Sequence, residues 1–209
     1  MKQRSIPGAR PGRSRRRFGL QAGVLAVTLF CGAASAAADE VDQLVDSPRV
    51  LAPAAILNGN PIDGIPSGPM VGGGYHVHSH LRLFVNGTQR WIPAGIGVTR
   101  PLVLDPSSDG PSITAAKGFY WLHTHDESGV IHAEAPAPRA FTLGQFFDIW
   151  GQPLSQNRVG PAKGEVTAWV DGQRYEGDPR NIAIGPYTRI QLDVGRDVPY
   201  QAYDFPPDL

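Results

Sequence analysis

Tyr75-His76-Val77-His78-Ser79-His80-Leu81-Arg82-Leu83-Phe84-Val85, followed by Asn86-Gly87, is the stretch on which the fold turns. Its odd positions are mainly apolar and its even positions hold three histidines and Arg82, the period-two pattern of a strand with one face in a core. Asn86-Gly87 is the signature of a type I′ turn, because both residues tolerate positive φ. The chain is therefore expected to return as a second strand from Gln89 to Pro93.

Downstream, a second hairpin is expected from Phe119 to His125, turning at Asp126-Glu127-Ser128-Gly129 and returning over Val130 to Glu134. Thr142 then caps a short helix, Leu143-Gly144-Gln145-Phe146-Phe147-Asp148-Ile149-Trp150, which Gly151 and Pro153 close. Leu143, Phe146, Phe147 and Trp150 fall at helical spacing and read as core. Val166 to Val170, with a turn at Asp171-Gly172, and Arg189 to Val194 add further strands. This order implies an α+β, β-rich fold, a β-grasp-like sheet with one short helix and an additional N-terminal hairpin. An all-β sandwich is the alternative.

Upstream the organisation differs. Before Asp39 the only charged residues are Lys2, Arg4, Arg10, Arg13, Arg15, Arg16 and Arg17. Residues 18–34 are mostly apolar or small, and Ala34-Ser35-Ala36 has the small-x-small form read by signal peptidase. Residues 1–36 are thus expected to be an export signal, too short in its apolar part to leave a stable membrane span after processing. The single cysteine, Cys31, lies inside it, so the mature chain has neither a disulfide nor a thiolate ligand. A lipid-attachment reading of Cys31 is opposed by the bulky Phe30 just before it. Residues 37–74, rich in Pro, Gly, Asn and Asp and ending on Gly72-Gly73-Gly74, read as an extended arm or linker. Residues 75–209 are left as a His-rich, β-rich domain.

Removing the leader also changes the charge. The formal net charge of zero becomes about −7, with 12 basic residues against 19 acidic ones. A phosphate-binding groove needs clustered Lys and Arg, so nucleic acid is not expected as a partner.

All six histidines fall in two motifs: His76, His78 and His80 in the first, and His123, His125 and His132 in His-Thr-His-Asp-Glu-Ser-Gly-Val-Ile-His. Solvated or packed histidines would scatter, whereas a metal site needs three or four donors at one point. Alternate residues of a strand share a face, roughly 6.5–7 Å apart, so a His-x-His pair can converge on one ion while a third ligand comes from a neighbouring strand. Parity tests the second motif. A four-residue loop at Asp126–Gly129 sets His123 opposite His132 and His125 opposite Val130, putting His123, His125, His132 and Glu134 on one face and Tyr120, Leu122, Ile131 and Ala133 on the other. Glu134 is a candidate ligand or general base, Asp126 a candidate to orient an imidazole through its second nitrogen, and Trp121 reads as packing. Opposing the two histidine faces gives either one centre or two neighbouring metals. A strand face of histidines pointing into water is the plain alternative.

Tyr75-His76-Val77-His78-Ser79-His80-Leu81, Tyr120-Trp121-Leu122-His123-Thr124-His125-Asp126, Gly129-Val130-Ile131-His132 and Phe141 to Gly151 together resemble an uncharacterised family of exported bacterial and archaeal proteins. The resemblance covers most of the chain after about residue 60 and implies no reaction. His-Val-His-Ser-His-Leu is also similar to the first metal motif of histidinol-phosphatase-type and amidohydrolase enzymes, whose larger βα-barrel this hairpin-rich chain cannot supply. Cupins share the His-x-His, but the glutamate they place next is missing from His80 to Val85.

The sequence therefore points to an exported, periplasmic or extracellular protein. Ser14-Arg15-Arg16-Arg17-Phe18 resembles the twin-arginine signal that passes folded cargo. The ligand pool is His76, His78, His80, His123, His125, His132 and Glu134. Copper is favoured by nitrogen affinity and zinc by frequency. A metalloenzyme, hydrolase or oxidoreductase, with an open coordination position, and a metal-free interaction module are the other classes.

Overall fold

In a computed structural model, residues 47–70, 74–105, 110–207 and 209 are described. The leader, Cys31, the twin-arginine segment and the first part of the arm lie outside the described residues.

The strand Tyr75–Val85 runs for eleven residues through the middle of the largest sheet. It turns at Asn86 and Gly87, with φ of 51° and 81°, the two positive values a type I′ turn demands. The return strand is Thr88–Arg90, shorter than the expected Gln89 to Pro93. Beyond it Trp91 forms a parallel bridge with Val50, and Ile92 is buried.

Across the sheet the order is Gln173–Tyr175, Val166–Val170, Arg189–Val194, Tyr75–Val85, Val130–Ala135 and Leu122–His123. Most neighbours are antiparallel. Arg189–Val194 is instead parallel to Tyr75–Val85, with Arg189 opposite His80 and Gln191 opposite Arg82. Among the described residues the fold is thus β-rich α+β with one short α-helix.

Alternation divides the sheet as the sequence implies. Leu81, Leu83, Leu122, Ile131, Ala133, Ile190 and Leu192 are buried in the main core. Against this face lies the helix Leu143–Trp150. Eight residues are too few to be stable alone in water, so the helix depends on its ends and on burial. Thr142 Oγ1 accepts from Gln145 N–H while the Gln145 side chain accepts from Thr142 N–H, a complete capping box, and Gly151 closes the C-terminus at φ 73°. Leu143, Phe146, Phe147 and Trp150 are fully buried, each contributing on the order of 1.5–3 kcal/mol.

Of a second sheet, Ser67–Gly68, Ile113–Tyr120 and Val98–Leu104, the sequence pattern announces only Phe119 and Tyr120, the start of the expected strand Phe119–His125. Pro101 falls inside Val98–Leu104, where it argues against a strand, and the register shifts between Thr99 and Leu102. The chain passes from Ile113–Tyr120 through a bend at Trp121 into Leu122–His123, so the expected strand Phe119–His125 is divided between two sheets.

The polar face of the large sheet is covered in part by the C-terminal segment. Gln201 N–H donates to Gln191 Oε1 at 2.9 Å, Arg189 Nε donates to the Tyr203 carbonyl at 2.6 Å, and Arg82 Nη1 donates to the Gln201 carbonyl at 3.0 Å. Among the described residues no helix is long and apolar enough to cross a membrane.

Candidate metal centre

Register brings the two motifs together. Val130–Ala135 lies between the histidine strand and Leu122–His123, with His78 opposite His132 on one side and His123 opposite His132 on the other. Three imidazoles therefore stand in one row across three neighbouring strands, and the next row holds His76 opposite Glu134. His123, His132 and Glu134 thus share one face, as the loop length implies.

His125 enters by another route. The ladder with Val130–Ala135 stops at His123, so the expected pairing of His125 with Val130 does not form; Val130 is paired on its other edge with His80. Thr124 and His125 are held instead by Thr124 N–H to the Ile96 carbonyl, Thr124 Oγ1 to the Pro93 carbonyl, and Ile113 N–H to the His125 carbonyl. From there the His125 ring turns back until its Nε2 is 3.1 Å from His123 Nε2.

Donor atoms of His76, His78 and His132 lie within 4.8 Å of one another, and so do those of His123, His125 and His132. His132 Nδ1 is 3.2 Å from His78 Nε2 and 3.4 Å from His76 Nε2. Glu134 Oε1, on a buried side chain, is 3.2 Å from His76 Nε2, 3.8 Å from His123 Nε2 and 3.9 Å from His132 Nδ1. These groups could hold a metal ion.

The tautomers say more. A carbonyl oxygen can only accept, so His123 Nδ1–H donates to the Tyr120 carbonyl at 2.9 Å and His125 Nδ1–H to the Ile113 carbonyl at 2.6 Å. A neutral imidazole has one N–H, which leaves a lone pair on each facing Nε2. Two lone pairs 3.1 Å apart repel unless a cation or proton stands between them. Two nitrogens bound to one tetrahedral ion at ~2.0–2.1 Å stand roughly 3.3 Å apart, close to the separations here. Backbone carbonyls fix these rings; Asp126, a candidate for that role, is a turn residue whose Oδ1 accepts from Ser128 N–H.

Burial disfavours the charged form of these rings. Burial, then the charge of neighbouring His125, holds His123 down to about 3, and burial followed by the charge of His123 holds His132 well below the ordinary imidazole value. His78 is lowered too, by burial and then by His76.

His80 belongs to neither group. Its ring stacks on Tyr203, with centroids 3.7 Å apart and planes 7° from parallel, and its Nε2 is 3.1 Å from the Ser128 carbonyl. The residue lines a cleft of about 870 Å³, with Arg82, Trp91 and Glu127, which contains none of the other five histidines. Trp121 packs against the core with the Arg139 guanidinium over its ring. Tyr203, missed in the sequence reading, carries no motif that would mark it.

Gly97 keeps the inner row in place. At φ 71°, a Cβ there would lie 2.2 Å from the Leu122 carbonyl oxygen and 3.1 Å from His123 Cβ. Gly97→Ala must therefore push Leu122–His123 out of the sheet, with an expected loss of about 1–3 kcal/mol in denaturant unfolding and weaker metal binding. Unchanged stability would show that this contact does not hold His123.

Searches of family profiles, characterised proteins and solved structures gave no match for this chain.

Proposed function

We propose that this chain is an exported member of the family its motifs resemble, binding a transition metal through histidine nitrogens, with copper or zinc as the ion. The observation that carries this reading is the pair of Nε2 lone pairs of His123 and His125, aimed at each other while both Nδ1–H groups are spent on backbone carbonyls. Imidazole nitrogens with one carboxylate suit Zn(II) and Cu(II), and a mature chain without cysteine offers no thiolate for soft-metal trafficking. Export rests on the leader alone, with its basic start, apolar middle and Ala34-Ser35-Ala36.

The test is elemental analysis of protein recovered from the extracytoplasmic fraction of its native host. Copper or zinc in near-stoichiometric amount is expected. Protein retained in the cytoplasm would overturn the export reading, and exported protein free of transition metal would overturn the binding reading.

A second reading, a metalloenzyme in which Glu134 handles protons beside an open coordination position, is favoured by one observation. The His76 side chain is 47% exposed, so solvent reaches the outer edge of the cluster.

A further inference from the structure

Five histidines converge here, more donors than a four-coordinate ion takes. They do not spread evenly around one point. On one side His76 Nε2 and His78 Nε2 both stand near His132 Nδ1, at 3.4 and 3.2 Å; on the other, His123 Nε2 and His125 Nε2 face each other at 3.1 Å. These three separations match the roughly 3.3 Å that one ion imposes, and all donor atoms within each group of three lie within 4.8 Å of one another. Only His132 belongs to both. Glu134 Oε1 reaches both ways, 3.2 Å from His76 Nε2 and 3.8 Å from His123 Nε2.

The two sets also differ in character. The inner one is pre-organised, since His123 is fully buried and carbonyls fix both Nδ1–H groups, so little rotational freedom is lost on binding. The outer one opens to solvent at His76.

We propose that the domain holds two transition-metal ions at once, an inner one on His123 and His125 and an outer one on His76 and His78, with His132 common to both groups as an imidazolate that gives one ring nitrogen to each ion and releases its N–H proton to solvent. The proposal rests on the metal-binding reading above. The two ring nitrogens point away from each other, so a histidine bridge sets the ions further apart than the ~3.5–4 Å of compact two-metal sites. The inner ion is the tighter and the outer one exchanges.

Metal-free protein titrated with Cu(II), and separately with Zn(II), tests this by counting bound equivalents after desalting. Two equivalents are expected, the second bound roughly tenfold more weakly because its site is less pre-organised. His78→Ala should keep one equivalent at the inner position, and His125→Ala one at the outer. The doubly loaded Cu(II) protein should show a spin-coupled paramagnetic resonance signal that is lost in each variant; the wild-type signal is informative whether or not a variant folds. One equivalent in the wild type, or two without spin coupling, overturns the two-ion arrangement and leaves metal binding standing. No bound equivalent overturns the metal-binding reading itself.

Discussion

Saturating copper or zinc should raise the unfolding free energy of this domain by about 4 kcal/mol when present at a thousand times its dissociation constant, and His132→Ala should abolish that gain. The size follows from mass action, because an ion held by imidazoles from three strands binds the folded chain and finds no such array in the unfolded one. For a domain of this length it corresponds to a rise in Tm on the order of 10 °C. His132 is the variant to choose because it alone stands in both groups of three. The readout is the difference between loaded and metal-free protein, so packing lost with the ring cancels. His80→Ala supplies the contrast. It removes the stack on Tyr203 and so weakens the metal-free domain, yet the metal-dependent gain should survive, since His80 lies outside both groups. A gain that persisted in His132→Ala, or vanished in His80→Ala, would mean that the ion sits elsewhere.

That contrast also shows where reading the sequence succeeds and where it stops. Local signals carried the hairpin at Asn86-Gly87, the turn at Asp171-Gly172 and the helix from Leu143 to Trp150, because the chemistry of each turn or cap lies within a few residues of itself. Parity placed His132 opposite His123, because a loop of known length fixes the register of a hairpin. Nothing local sets the register between strands that no short turn joins. That His78 rather than His80 faces His132 depends on how Tyr75–Val85 slides against Val130–Ala135, and alternation alone allows any even offset. His80 shares the parity of His76 and His78 but is claimed by Tyr203, from a C-terminal segment with no strand pattern. Arg189–Val194 was legible as a strand, but not as the parallel neighbour of Tyr75–Val85, more than a hundred residues away. The alternation of His125 continues that of His123 and so reads as part of the ladder. The carbonyls of Pro93 and Ile96 draw Thr124 off the sheet, a contact no spacing announces.

Acid should act on this domain through the same rings, and in a defined direction. His123 is held at about 3 by burial and then by neighbouring His125; His80 is held at about 4 by burial and then by Arg82; His132 is lowered by burial and then by His123. In the unfolded chain each returns to ~6.5. Between that value and the folded one, the unfolded chain binds more protons, so stability is fully present above pH ~6.5 and falls as the pH drops toward 4. Each such histidine contributes a slope of up to about 1.4 kcal/mol per pH unit, so three together give roughly 4 kcal/mol per unit near pH 5. Asp193 works in the opposite sense, since burial raises its carboxyl and favours the folded state slightly more in acid, but it is one group against three. Bound metal steepens the fall, because protons compete for the nitrogens that hold it. Denaturant unfolding of metal-free protein from pH 7.5 to 4.5, paired with metal content at each step, should therefore show stability and metal lost together from about pH 6.5 downward. A metal-free stability that stayed level over this range would mean that the buried imidazoles take up protons in the folded state, as a proton shared between the facing Nε2 atoms of His123 and His125 would do. Full metal retention at pH 4 would place the ion on carboxylates and undo the histidine assignment.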